Sequence, residues 1–317
     1  MGDELSALDP GISVVIPVYN GARTIGQLVE RLKGVLAGLP CDFEILLIND
    51  GSEDDSWDMV NGLASSDTRI RGINLMRNYG QHNALLCGVR NATKDVIVTL
   101  DDDLQNPPEE IPKLLALIEA GNDLVYGTSD RSAQGLPRRL ATLATKWALR
   151  SAMGVSAAKY VSSFRAFRTR LRDAFADYNS SFVCLDVLLA WGTARIAAAP
   201  VAHEARAVGL SNYTVFSLSR HALDMLTGFS VVPLQIVSLV GLLLSIFGFI
   251  VLIYVVISFF VFGGGVPGFS FLASLIAIFS GAQFLALGII GEYLGRVHFR
   301  AMDKPPYAVS EMVETVR

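Results

Sequence analysis

Three carboxylates stand side by side at Asp101-Asp102-Asp103, directly after the apolar run Val96–Leu100. Adjacent negative charges repel one another unless water or a cation screens them. Hard oxygen donors of this kind suit Mg²⁺ or Mn²⁺. Mg²⁺ commonly takes one or two protein carboxylates and completes its shell with water and substrate phosphates. The triplet is therefore a candidate holder of a metal-bound phosphate. A solvated acidic loop would have the same composition, but its place after a buried strand favours the ligand. Two more polar clusters, Tyr19-Asn20 and Asn49-Asp50-Gly51-Ser52, follow similar apolar runs.

Other chemistries find less support. There is no Gly-rich phosphate loop with its Lys and no Gly-x-Gly-x-x-Gly, which argues against an ATPase or a dinucleotide-dependent dehydrogenase. His82, His203, His221 and His298 lie far apart without zinc-type spacing, and nothing supports a hydrolytic triad. Cys41, Cys87 and Cys184 show neither metal nor disulfide spacing and read as packing residues of a reducing compartment.

The elements that must position these clusters alternate. Ile12–Val18 is a β-branched run that reads as a buried strand, and Arg23–Leu39 has apolar residues at helical spacing. Phe43–Ile48 is a second strand, and Ser52 or Asp54 is the candidate cap of a helix carrying Trp57, Met59, Val60 and Leu63. Arg69–Met76 reads as a third strand, Gln81–Val89 as a helix and Val96–Leu100 as a fourth strand. Pro107-Pro108-Glu109-Glu110 opens another helix, and Asp123–Gly127 adds a strand. This alternation predicts an α/β fold with a mostly parallel sheet covered on both faces. In such sheets ligands bind beyond the carboxyl ends of the strands, where all three clusters fall.

The rest of the chain has a different character. Between Asp224 and Glu292 lie 67 positions without one charged residue. Apolar runs at about 231–262 and 269–291 flank Gly263-Gly264-Gly265-Val266-Pro267-Gly268. A bilayer core takes about 20 apolar residues per helix, so the gap holds a two-helix transmembrane hairpin. Residues 1–130 carry 9 Lys/Arg against 21 Asp/Glu, whereas residues 131–224 carry 13 against 5, although the whole chain is only −4. Basic residues next to a membrane segment favour the cytoplasmic side and attract anionic headgroups. The predicted layout is a cytoplasmic domain over 1–224, with basic juxtamembrane helices near 135–158 and 215–226, then the hairpin over 231–291 and a tail over 292–317. The start of the chain, Met1 to Pro10, is acidic and lacks an apolar signal segment.

Four stretches carry a resemblance. Ile16-Pro17-Val18-Tyr19-Asn20, Leu47-Ile48-Asn49-Asp50-Gly51-Ser52, Arg77-Asn78-Tyr79-Gly80-Gln81-His82 and the run from Leu100 to Glu110 are similar to family 2 glycosyltransferases. The nearest branch is the polyprenyl-phosphate glycosyltransferases, dolichol-phosphate-mannose synthase-like. Within it the chain resembles most the bacterial undecaprenyl-phosphate 4-deoxy-4-formamido-L-arabinose transferases. The likeness extends through Gly291-Glu292-Tyr293-Leu294-Gly295-Arg296 to about Val309.

This resemblance implies a GT-A nucleotide-diphospho-sugar transferase fold and inverting transfer from a nucleotide-diphosphate sugar, UDP-linked, to a polyprenyl phosphate. It assigns Asp50 to the nucleotide base, with Pro17, Tyr19 and Gln81 nearby, and Asp101 and Asp103 to the Asp-x-Asp positions. Gln105 becomes a further ligand of Mg²⁺ or Mn²⁺, and Arg131 a catalytic candidate reaching the donor diphosphate. Arg138, Arg139, Lys146, Arg165 and Arg206 are candidates to hold the lipid phosphate, for which Arg offers a bidentate fork. The implied partners are a nucleotide sugar, a polyprenyl phosphate lipid and the inner membrane, crossed more than once with the catalytic domain cytoplasmic. Nucleic acid is not implied, and a homo-oligomer stays open.

Departures from the family pattern are also legible. Gly21 stands where Glu is common, Asn49 where Asp is common, and Ser163 where some relatives carry an Asp proposed as base. Asn212 replaces a common Lys in Gly209-Leu210-Ser211-Asn212-Tyr213. Sugar identity stays open, with glucose, galactose and N-acetylhexosamine as alternatives to the aminoarabinose derivative. A processive polysaccharide synthase would need more crossings and a Gln-x-x-Arg-Trp motif, and the intact Asp101, Asp103 and Gln105 argue against an inactive scaffold.

Overall fold

The computed structural model describes residues 11–128, 160–204, 232–262 and 268–315. Its strands are β1 (Ile12–Val18), β2 (Phe43–Asn49), β3 (Ile70–Leu75), β4 (Val96–Thr99), β5 (Leu124–Thr128), β6 (Arg165–Arg168), β7 (Ile196–Pro200) and β8 (Val309–Glu314). They form one eight-stranded sheet in the order β7-β5-β6-β4-β1-β2-β3-β8. The pairs β1·β2, β1·β4, β2·β3 and β5·β7 are parallel; β4·β6, β5·β6 and β3·β8 are antiparallel. The sheet is mixed, mostly parallel, and matches the α/β expectation.

Both faces are covered because the strand residues alternate. Ile12, Val14, Ile16 and Val18 point to one side with Ile45 and Leu47. There they meet α1 (Ile25–Ala37), α2 (Ser56–Ser66) and α4 (Ile111–Glu119). Val15, Leu46 and Ile48 point to the other side, against α3 (Gln81–Asn91) and α5 (Leu185–Gly192). Complete burial of β1 and β2 explains their continuous β-branched and Leu-rich runs.

The predicted elements up to Thr128 form within a residue or two of their expected ends. The helix after Pro107 starts as a 3₁₀ turn over Pro108–Glu110 before α4. Neither Ser52 nor Asp54 is the N-cap of α2, which is Asp55 and makes no side-chain capping bond, although Asp54 accepts the Ser56 N–H at 3.1 Å.

Two long helices follow, α6 (Val232–Phe262) and α7 (Phe269–Ala301), each apolar and long enough to cross a membrane. A Cβ on Gly248 of α6 would lie 3.4 Å from the Phe279 ring of α7, so the two pack together. The expected juxtamembrane helices at 135–158 and 215–226 lie outside the described residues. The tail over 292–317 is not a loose extension. α7 continues to Ala301, and β8 then returns to pair with β3, with Arg71 opposite Glu314 and Leu75 opposite Val309.

Burial has a chemical consequence for the thiols. It pushes Cys87 and Cys184 up to about 12, while Cys41 is partly exposed. Because the thiolate is the reactive form, at pH 8 a thiol reagent should modify Cys41 alone in the native chain and all three cysteines after denaturation. Fast native modification of two or more thiols would contradict this packing.

Candidate active site

The loops at the carboxyl ends of β1, β2 and β4 and before α3 meet at one edge of the sheet. Gly51 has φ +63°, and a Cβ there would collide with the backbone of Arg77 and Asn78, so the close approach of these two loops requires glycine. The Asn20 N–H donates to Ser52 Oγ at 3.0 Å, and the Glu53 N–H donates to Asn20 Oδ1 at 2.9 Å. Ser52 donates its hydroxyl to Asn49 Oδ1 at 2.6 Å, while Asn49 Nδ2 donates to Asn74 Oδ1 at 2.8 Å. That last bond accounts for Asn49. An amide accepts and donates at once, whereas an ionised Asp could not donate to Asn74.

Asp50 is buried. Its carboxylate accepts the Tyr79 N–H at 2.7 Å and the Gly80 N–H at 2.8 Å. Burial raises its pKa, and these two amides pull the other way. Asp50 thus shapes the turn that begins α3. The first residue of that helix, Gln81, donates from Nε2 to Asp101 Oδ1 at 2.6 Å.

The other two carboxylates of the triplet are held differently. Asp102 Oδ2 accepts the Tyr19 N–H at 3.3 Å. Burial, opposed by that amide and then reinforced by Asp101 and Asp103, pushes Asp102 up to about 7. Gly21 makes this arrangement possible, because a Cβ there would overlap the Asp102 carboxylate. The missing Glu is thus explained by the side chain that takes its room. Asp103 Oδ1 accepts the Gln105 N–H at 3.1 Å across Leu104, which is buried and left-handed at φ +61°. The Gln105 carbonyl in turn accepts the Glu204 N–H at 2.9 Å. Asp101, Asp103 and the Gln105 amide oxygen offer a hard-oxygen donor set at a strand end. Their chemistry fits Mg²⁺ or Mn²⁺.

The remaining predicted residues divide clearly. Tyr19 is half exposed beside the triplet, whereas Pro17 is buried within β1 opposite Ile48. Arg131, Arg138, Arg139, Lys146 and Arg206 lie outside the described residues. Arg165 corrects the sequence reading. It is 1% exposed, paired with Asp186, and its Nε donates to Thr99 Oγ1 at 3.0 Å. A guanidinium enclosed in this way cannot reach a lipid phosphate. Tyr126 adds its hydroxyl to Asp186 Oδ1 at 3.1 Å, completing a buried polar group behind β4.

Spacing alone could not reveal another cluster, because its members come from two helices and the residue before one of them. Ligand atoms of His82, Cys184 and Asp186 lie within 4.8 Å of one another. A metal is a poor occupant. The Arg165 guanidinium already neutralises Asp186, burial and Asp186 hold the Cys184 thiol protonated, and His82 Nδ1 accepts the Leu185 N–H at 3.3 Å. The cluster knits α5 to α3.

The buried pair yields a stability prediction. Asp186→Ala leaves the Arg165 charge without its partner and should cost about 3–5 kcal/mol, read as a markedly lower thermal midpoint in detergent. Arg165→Met combined with Asp186→Leu should recover most of the loss. A wild-type midpoint for Asp186→Ala would show that the pair does not hold this region.

The chain is similar to known proteins at three levels. The family model described as "Glycosyl transferase family 2" matches residues 13–178. The undecaprenyl-phosphate 4-deoxy-4-formamido-L-arabinose transferase of Proteus mirabilis (strain HI4320) is 35% identical over 306 residues, spanning 95% of this chain and 94% of that protein. The protein of the same name from Shewanella sediminis (strain HAW-EB3) is 36% identical over 307 residues, spanning 95% and 92%. Among solved structures, glucosyl-3-phosphoglycerate synthase from Mycobacterium tuberculosis, crystallised with Mn²⁺, UDP-glucose and phosphoglyceric acid, superposes with a TM-score of 0.52. It is 20% identical and covers 69% of this chain and 79% of that one, a likeness of fold. Sequence similarity that runs nearly end to end, over a GT-A-like sheet with its carboxylate triplet at the strand ends, makes this chain a glycosyltransferase belonging to glycosyltransferase family 2.

Proposed function

We propose that the chain transfers a sugar, with inversion, from a UDP-linked donor to a polyprenyl phosphate such as undecaprenyl phosphate, at the cytoplasmic face of the inner membrane. The carboxylate triplet at the strand ends carries this reading, together with the two apolar helices long enough to cross a membrane, the second of which is α7. Its Arg296 stacks over Phe182 at 5.1 Å, and Ser181 beside Phe182 accepts from Asn83 in the first turn of α3. The Tyr178 hydroxyl donates to the Phe182 carbonyl at 2.6 Å, and the Tyr178 carbonyl accepts from Arg90 in the last turn of α3. The first turn of α3, which holds Asp101, and the charged end of α7 are thus linked through the segment bearing Phe182.

The proposed roles follow from charge. Asp101, Asp103 and Gln105 would hold a divalent cation, which when bound neutralises the donor diphosphate. Asp50, Tyr19 and Gln81 border the nucleotide, with Pro17 supporting them from inside β1. Arg131 is proposed to reach the diphosphate, and Arg138, Arg139, Lys146 and Arg206 the acceptor. An acceptor phosphate is already largely anionic near neutral pH, with a second pKa of about 6. Ser163 in place of an Asp base is then tolerable, and its carbonyl serves to accept the Thr99 hydroxyl at 2.8 Å. A phosphate oxygen forms the new bond to the anomeric carbon as the bond to the departing diphosphate breaks.

The relatives' name makes UDP-4-deoxy-4-formamido-L-arabinose the first donor to try, with glucose, galactose and N-acetylhexosamine donors alongside. The assay incubates the full chain with Mn²⁺, undecaprenyl phosphate and each donor, and weighs the lipid products. One sugar-phosphate lipid should appear with one donor, and no product with any donor would overturn the reading. Asp103→Ala should lower turnover by about 10²–10³-fold, as loss of a charge-stabilising group does, with membrane insertion intact. Wild-type metal-dependent turnover in that variant would remove Asp103 from its role.

A further inference from the structure

We propose that Phe182 and Arg296 form a seat through which α7 sets the position of the Asp101 loop, making both of them positioning residues for the transfer. The inference deepens the function proposed above and rests on its assignment of Asp101 and Asp103 to the metal side.

The length of α7 is the first observation. Its 33 residues span about 50 Å at ~1.5 Å per residue, while a hydrocarbon core of about 30 Å takes roughly 20 residues. Glu292 is the first charge after the long uncharged stretch. The part from Glu292 to Ala301 is the charged end of α7, a stalk about 15 Å long at ~1.5 Å per residue. Within it, Glu292 accepts from Arg296 at 3.0 Å, one turn along, and this aims the guanidinium at the Phe182 ring.

What surrounds Phe182 is the second observation. On one side, the Ser181 carbonyl accepts from Asn83 Nδ2 at 3.4 Å; on the other, the Leu185 N–H donates to His82 Nδ1 at 3.3 Å. Asn83 Nδ2 also donates to the Tyr79 carbonyl at 2.7 Å, inside the turn that Asp50 fastens. The segment bearing Phe182 thus grips the first turn of α3 from two points. That turn opens with Gln81, whose amide holds Asp101. From stalk to carboxylate the links are Arg296, Phe182, the Asn83–His82 turn, Gln81 and Asp101, all direct contacts or adjacent residues.

The seat has a stated consequence. A stalk set on Phe182 fixes the charged end of α7 relative to the α3 turn that holds Asp101. Loosening it should disturb binding at the Asp101 loop without unfolding the sheet, because neither seat residue is part of the buried core.

The experiment uses the full chain in lipid nanodiscs, with UDP and Mn²⁺ as probes. Phe182→Ala and Arg296→Ala should each weaken Mn²⁺-dependent UDP binding by about tenfold, with the thermal midpoint near wild type. Phe182→Tyr and Arg296→Lys should restore most of the affinity. Residues acting through one another are non-additive, so Phe182→Ala combined with Gln81→Ala should lose no more than Gln81→Ala alone. Unchanged affinity in the two alanine variants, or losses that multiply in the double variant, would overturn the seat. A wild-type chain that binds no UDP with Mn²⁺, or an Asp103→Ala variant that binds it normally, would instead overturn the reading of the site.

Discussion

Burial together with crowding of three adjacent carboxylates is the constraint on which the rest of the site depends. Two unit charges about 4 Å apart repel by about 4 kcal/mol at an effective dielectric near 20. Each hydrogen bond to a charged group returns about 1.5–3 kcal/mol. The terms are comparable, so the loop keeps its shape only if each carboxylate has its own partner. The structure supplies three from different places: Gln81 from α3, the Tyr19 amide after β1, and the Gln105 amide within the loop itself. The triplet thereby ties together the connections that follow β1, β3 and β4, of which β1 and β4 are neighbours in the sheet and β3 lies beyond β2. β1 lies between β2 and β4 in the sheet, which brings the loops after these strands to the same edge.

Much of this was legible because the first half of the fold is local in pattern. β1, β2 and β4 are short apolar runs that stop at polar clusters, and parallel-sheet geometry brings such stops to one edge. The later elements leave no comparable mark. β6 reads Arg-Ala-Phe-Arg, a poor candidate for a strand between β4 and β5 until Asp186 neutralises Arg165. β8 is short and largely exposed, and its partner β3 lies more than two hundred residues earlier. No window along the chain contains both halves of either interaction.

The departures at Gly21 and Asn49 show the same limit at the site. Spacing reveals that a common Glu and a common Asp are absent, and nothing more. In the fold Gly21 leaves room for Asp102, and Asn49 donates to Asn74 while accepting from Ser52. Neither residue marks a damaged site; each fits a specific neighbour in this chain. The positive balance over 131–224 is similarly redistributed. Arg165 belongs to Asp186, while Arg168, Arg170 and Arg195 gather around the buried Asp123. Part of that charge therefore serves the fold, which shifts the task of meeting an anionic lipid toward the remaining basic residues.

The edge strand changes what the hairpin can do mechanically. A domain joined to two membrane helices at one point could tilt and swivel about that point. Here the chain enters α6 after the sheet has been built, leaves through α7, and returns to the same sheet as β8. Arg71 fixes the far end of β8 through Glu314 at 3.1 Å, and the Met76 N–H donates to the Ala308 carbonyl at its near end. The hairpin is thus bracketed by the domain it carries, with the stalk of α7 held between Phe182 and β8. Closing such a loop costs conformational entropy that rises only slowly with its length. The fold accepts that cost, and what it gains is restricted swivel between the apolar span and the carboxylate edge.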